Sequence, residues 1–300
     1  MKVLIHGPFH PSLWVYLISS LPEYEWYVER DEWEGCIPRD HIKYKIFNPK
    51  RDKPDAQIIC LHNPDSSETL TKFPYPPVFL EYCRFKNLPD LMGYPLIYTS
   101  KSNHNEEYSN IRFWYATPSK SLWNEKWVGD KKVITVLHRS GNASILKKIQ
   151  RMGLPVECLD ITKRNIPFEE WKSILVHSRV IIEMIPKSSS SILLECQSIG
   201  TPTLAYGFDD SKLMTHTFTS ASYGLRKVLR RLLDDDDYAR TWWDKYPSHE
   251  DTAKEVFGSA FKESIALYNT LNEKESHHLI KDIIRKIHTL GTYFIHRLSF

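Results

Sequence analysis

Arg139 follows the apolar run Val133 to Leu137 and stands two residues ahead of Gly141. A guanidinium in that place offers a bidentate fork to an oxyanion, and the glycine lets the backbone approach the same anion. Further on, Lys187 precedes Ser188, Ser189, Ser190 and Ser191, just before a pattern of apolar residues at helical spacing. Serine hydroxyls cap a helix start, and the unpaired N–H groups of its first turn attract phosphates. Together with Arg139 they make a cradle for a diphosphate. Near the other end of the chain, Gly7 and His10 follow one apolar run, and His62 follows another. An imidazole there can hydrogen-bond a substrate hydroxyl or take its proton. His6 ends the first of those runs. Each feature is common by itself, since many proteins have an arginine after a strand or a capped helix. They become a site only if one architecture brings them together.

The elements that must do so are legible. From Ile174 to Tyr206 the pattern predicts a helix end, a strand around Val180 to Ile182, the serine loop, a helix and another strand. Ile192, Leu193, Cys196 and Ile199 give that helix an apolar face, Gly200 stops it, and Pro202 fits only the start of the next strand. This is a βαβ unit. Upstream, strand Val133 to Leu137, helix Ala143 to Met152, strand Val156 to Leu159 and helix Phe168 to His177 repeat the alternation, with short loops such as Ile161 to Asn165. Such alternation predicts a parallel sheet flanked by helices. Toward the N-terminus, strands are expected at Lys2 to His6, Glu25 to Val28, Asp55 to Leu61, Val78 to Tyr82, Pro95 to Thr99 and Ile111 to Ala116, with a helix from Ser12 to Ser20.

The expected fold is α/β, with two Rossmann-like domains facing across a cleft and ligands at the carboxyl ends of the strands. The boundaries read as 1–118 for the first domain, 119–272 for the second and 273–300 for a terminal helix packing back on the first. That last segment is amphipathic, with Leu279, Ile280, Ile283 and Ile287 on one side. It is expected to pack on the body, with peripheral membrane contact as the alternative. Helices are also expected from Ser222 to Leu233 and Ser248 to Asn269, and the run Asp234 to Asp237 is read as a solvated loop.

Composition narrows the classes. The chain is 41% hydrophobic and 26% charged, with a net charge of +3 that argues for no polyanionic partner. No apolar run approaches the roughly 18 residues of a membrane helix. The opening MKVLIHGPFHPS has a lysine and an apolar run, but that run stops at Ile5, short of a secretory segment. Cys36, Cys60, Cys83, Cys158 and Cys196 lack CxxC spacing and are odd in number, which suits free thiols in the cytoplasm. No metal site is expected, because Asp209-Asp210 and Asp234 to Asp237 are runs of adjacent carboxylates without enforced convergence.

The segment SSILLECQSIGTPTLAYG, Ser190 to Gly207, resembles the two-Rossmann-domain (GT-B) nucleotide-sugar glycosyltransferases. It is most similar to the retaining group that includes sucrose, glycogen and mannose-transferring enzymes. The likeness extends over Val133 to Gly207 and is architectural elsewhere. It implies that Glu195 contacts the donor ribose, that Arg139 binds the donor diphosphate, and that the loop holding Lys163 receives the base. It also implies a nucleoside diphosphate sugar as donor, a carbohydrate or other hydroxyl acceptor, and no further cofactor.

The departures from the family pattern fall at the chemistry. The first of the family's two glutamates should stand eight residues before Glu195, at Lys187. The family glycine in the loop is replaced by serine within Ser188 to Ser190, and the expected lysine after Arg139 is Ser144. Lys147, Lys148 or Lys187 would have to supply that charge. The reading is therefore a metal-independent hexosyltransferase, with retention favoured. His10 and His62 are the candidate bases should inversion apply. The rival is a non-catalytic binding or scaffolding protein of the same fold. A nucleic-acid role, drawn from Arg226, Lys227, Arg230 and Arg231, has less support than a solvated helix face.

Overall fold

The computed structural model describes residues 1–6, 11–29, 42–60, 75–81, 91, 93–99, 108–114, 118, 122–138, 143–161, 166–184, 191–206, 216–218, 224–244, 251–271, 275, 278–280 and 282–283. Every pairing between its strands is parallel. Contacts divide the chain into two units, one holding the described residues up to Trp114 and again from Asp251, the other those from Pro118 to Asp244.

The first unit contains β1 (Lys2–Ile5), α1 (Pro11–Ser20), β2 (Glu25–Val28), β3 (Lys45–Ile46), β4 (Ala56–Cys60), β5 (Pro77–Glu81), β6 (Leu96–Tyr98) and β7 (Ile111–Phe113). Its sheet runs in the order β3-β2-β1-β4-β5-β6-β7. Val3, Leu4, Ile58, Ile59, Val78 and Phe79 are all buried, as expected of short apolar strands covered on both faces.

The second unit contains β8 (Lys131–His138), α2 (Ala143–Gln150), β9 (Val156–Asp160), α3 (Phe168–His177), β10 (Ser178–Met184), α4 (Ser191–Ile199), β11 (Thr203–Tyr206), β12 (His216–Phe218), α5 (Leu225–Asp234) and α6 (Asp236–Arg240). Its sheet runs β12-β11-β10-β8-β9. Ile134, Val136, Val180 and Ile182 meet Leu229 and Leu232 of α5 in one buried cluster. Before β8, residues 122–129 strap the amino end of this sheet. Trp127 N–H donates to Ile199 O at 3.0 Å, Val128 N–H to Val176 O at 3.0 Å, and the Trp127 indole to Ser178 O at 2.9 Å. Gly129, at φ +60°, ends the strap where any Cβ would overlap the Trp127 ring.

Two expectations are corrected. The helix α7 (Ala253–Thr270) was assigned by sequence to the donor domain ending at 272, yet it belongs to the first unit. Phe257, Ala260, Phe261 and Ser264 form its buried stripe. Phe257 meets Trp114 edge-on at 5.1 Å, and Ser264 Oγ donates to Pro77 O at 2.7 Å. Beyond it, Ile280 and Ile283 are buried with Ile59 and Phe79, so at those positions the apolar side of the terminal segment covers the first sheet.

The second correction concerns the aspartates. Asp235 is the N-cap of α6, accepting from Tyr238 N–H at 2.9 Å. The Asp236 carboxylate accepts from Arg179 Nη2 at 2.5 Å and Lys132 Nζ at 3.3 Å. Arg179 is only 3% exposed, donates through Nε to Leu232 O at 2.7 Å, and lies over the Trp127 ring. Asp235 serves as cap and Asp236 as counter-ion; the run lies at a junction of two helices instead of a loop, while Asp234, Asp236 and Asp237 are solvated as expected. Among the described residues, no helix is long and apolar enough to cross a membrane.

Candidate functional site

Open parallel sheets bind ligands outside the carboxyl ends of their strands, where the strand order reverses. In the second unit the chain goes from β8 to β9 on one side and then to β10 on the other, so the reversal lies between β8 and β10. The register pairs His138 with Met184 across that point, and His138 with Asp160 on the other flank. Arg139 comes next after His138 in the chain, while Lys187, Ser188, Ser189 and Ser190 come soon after Met184. These five, and Lys163 after β9, lie outside the described residues. The strand ends that lead to them are neighbours in the sheet.

Ser191 opens α4, and Glu195 stands one turn along it. Glu195 is 4% exposed, and its Oε2 accepts from the Trp171 indole N–H at 2.9 Å. Trp171 is set by α3, whose first turn closes with Trp171 N–H donating to Pro167 O at 2.8 Å. A second carboxylate, Glu183, is buried one residue before the end of β10. Sequence reasoning passed over it as part of an apolar strand; a single glutamate inside VIIEM was the signal. Cys196, next to Glu195 along α4, is buried, and its thiol is pushed up first by that burial and further by Glu195 and Glu183. This cysteine stays protonated and inert. Carboxylates are seldom so buried unless they are paired or used.

The first unit has its own reversal, between β1 and β4. His6 follows β1 and is fully buried. Its Nε2 lies 2.6 Å from Gln57 Oε1, and Gln57 Nε2 donates to Tyr75 O at 2.6 Å. With the amide nitrogen committed to a carbonyl, Gln57 presents its oxygen to the ring, so Nε2 is the donor. Nδ1 lies 3.6 Å from Glu29 Oε2. His6 is thus an internal group of the strand ends, closed to the acceptor hydroxyls that its sequence position suggested. Gly7 and His10, next along the chain, and His62, two residues after β4, lie outside the described residues.

A cavity of about 520 Å³, lined by Asp55, Tyr75, Tyr268 and Met1 among others, opens at the amino end of the first sheet, opposite the carboxyl ends of its strands. Among the described residues no group of three or more His, Cys, Asp or Glu is gathered to hold a metal ion.

Solved structures share this architecture. A glycosyltransferase from Rickettsia africae superposes with a TM-score of 0.52 at 11% identity, over 95% of this chain and 98% of that one. The spinosyn forosaminyltransferase SpnP covers 87% of this chain and 99% of its own at 13% identity, with a TM-score of 0.47. No family model and no curated protein sequence matches the chain. The fold is α/β of the GT-B type, and its structural neighbours are glycosyltransferases. At such identities the likeness defines the fold, and the chemistry rests on the site.

Proposed function

We propose that the protein is a metal-independent glycosyltransferase that moves a sugar from a nucleoside diphosphate sugar to a hydroxyl acceptor, with retention at the anomeric carbon. The observation that carries this reading is the β8/β10 reversal: its two strand ends lead into the arginine and the lysine–serine loop, and the helix that follows holds Glu195 against Trp171. In this reading Arg139, Lys187, Ser188, Ser189, Ser190 and the start of α4 at Ser191 grip the departing diphosphate. Glu195 reaches the ribose, the Lys163 loop receives the base, and Gly7 lets the backbone approach the donor. His10 and His62 serve the acceptor. Cations and a helix N-terminus stabilise a leaving diphosphate by preorganised electrostatics, without a metal ion. The free thiols Cys60, Cys158 and Cys196 suit a cytoplasmic setting.

The test is calorimetric titration with UDP and GDP, followed by assay of donor hydrolysis. Binding with slow hydrolysis is expected, and Arg139→Ala should lower turnover about 10²–10³-fold, the loss typical of one oxyanion donor. Unchanged turnover in that variant removes Arg139 from the mechanism. The second reading, a non-catalytic binding protein, is favoured by Lys187 standing where the resembled family has a carboxylate. Failure to bind any nucleoside diphosphate at millimolar concentration would support it.

A further inference from the structure

Two helices of the second unit carry cations that the described fold leaves unmatched. Leu225, Leu229, Leu232 and Leu233 are buried beneath α5, which turns Arg226, Lys227 and Arg230 outward, all exposed. The helix α2 joins the same apolar cluster through Ile149 and leaves Lys147, with Arg151 just beyond it, exposed. Arg226 reaches toward the end of α2: its Nη2 lies 3.9 Å from where a Cβ on Gly153 would stand. No carboxylate interrupts residues 143–154 or 225–233. At the far end of α5, Asp235 pairs with Arg231 and Asp236 with Arg179 and Lys132, while Asp234 and Asp237 are exposed. On a chain of net charge +3, this is a local concentration of positive charge.

We propose that this face docks on an anionic lipid bilayer, its cations reading headgroup phosphates and carboxylates. Shape selects a bilayer over a nucleic acid. Two adjoining helices, each about 10–12 Å across, make a face wider than the roughly 12 Å major groove. Nearby rings give no platform for bases: Arg231 covers Tyr238 at 4.0 Å, and Trp242 is 3% exposed. The apolar sides of both helices are spent inward, so binding is electrostatic, without an inserted stripe, and is strongly weakened by salt. Each basic residue near an anionic surface strengthens partitioning roughly fivefold. The inference stands independently of the transferase reading.

The experiment is sedimentation of the full chain with vesicles of phosphatidylcholine alone or mixed with phosphatidylserine. Binding only to the mixed vesicles is expected, with loss at high salt. A triple variant, Arg226→Gln with Lys227→Gln and Arg230→Gln, should bind roughly a hundredfold more weakly, while Lys50→Gln in the first unit should bind as the unaltered chain does. These side chains are exposed, and circular dichroism confirms that the triple variant is folded. Equal binding to both vesicle types, undiminished binding by the triple variant, or displacement from vesicles by duplex DNA at comparable charge would each overturn the proposal.

Discussion

At the carboxyl end of β1 a fully buried imidazole is closed by Gln57 and Tyr75, whereas near the carboxyl end of β10 the fold keeps two carboxylates, Glu183 and Glu195, almost entirely out of water. Both arrangements use hydrogen bonds that each stabilise by about 1 kcal/mol, Trp171 donating to Glu195 in the second. The second costs desolvation, which an apolar pair would have avoided. Proteins break the rules of the core mainly where a ligand requires it. On the proposed reading, the contrast assigns framework to the first reversal and the ligand to the second.

Three experiments bear on that contrast. The largest effect is expected from Phe257→Ala, which empties the contact with Trp114 and should cost about 3–5 kcal/mol. Hydrogen exchange should show β4 and β5 losing protection while β8 and β10 keep it, with nucleotide affinity unchanged. If nucleotide binding falls in parallel, the two regions are not separable. Trp171→Phe removes one donor to Glu195 and should cost about 1–3 kcal/mol. Here affinity for UDP or GDP should fall by more than the stability change accounts for, since the carboxylate is free to turn away. A stability loss with unaltered affinity would make Glu195 structural.

The smallest effect is a pH dependence in the second unit. Arg179 and then Lys132 hold the Asp236 carboxyl below the usual aspartate range, the Tyr238 N–H and Arg231 do so for Asp235, and His177 does so for Asp130. A depressed carboxylate contributes stability that is complete above its unfolded pKa and disappears as pH falls through the folded value. Acidification below about pH 4 should therefore weaken β8 and β10, taking ordinary aspartate as reference. Asp236→Asn should be less stable at neutral pH and show a shallower acid loss in urea titrations. An unchanged acid slope would assign that loss to other groups.

The parallel sheets, most strands and the ends of α3 at Phe168 and His177 were legible because local periodicity and turn residues decide them. What stayed hidden depends on partners distant in the chain. His6 meets Gln57 across 51 positions, and Asp236 meets Arg179 across 57, so the sequence showed an available histidine and an ownerless acidic run. A helix from Ser248 to Asn269 is legible in the sequence, but nothing in its own residues says that Pro77 will accept its serine. At the candidate site, Glu195 was reached through a resemblance, and its indole partner is fixed only by how α3 lies against α4.

Gly129 has a consequence for how damage would spread through the second unit. The Trp127 ring that forbids a side chain there also lies against Arg179, which is in turn held to Asp236. A single methyl group added in a connecting segment would unseat an indole, loosen a buried guanidinium and release an aspartate, three steps from the lesion. Sequence variants at this glycine should therefore be as poorly tolerated as variants in the core itself, although the position makes no contact with any proposed ligand.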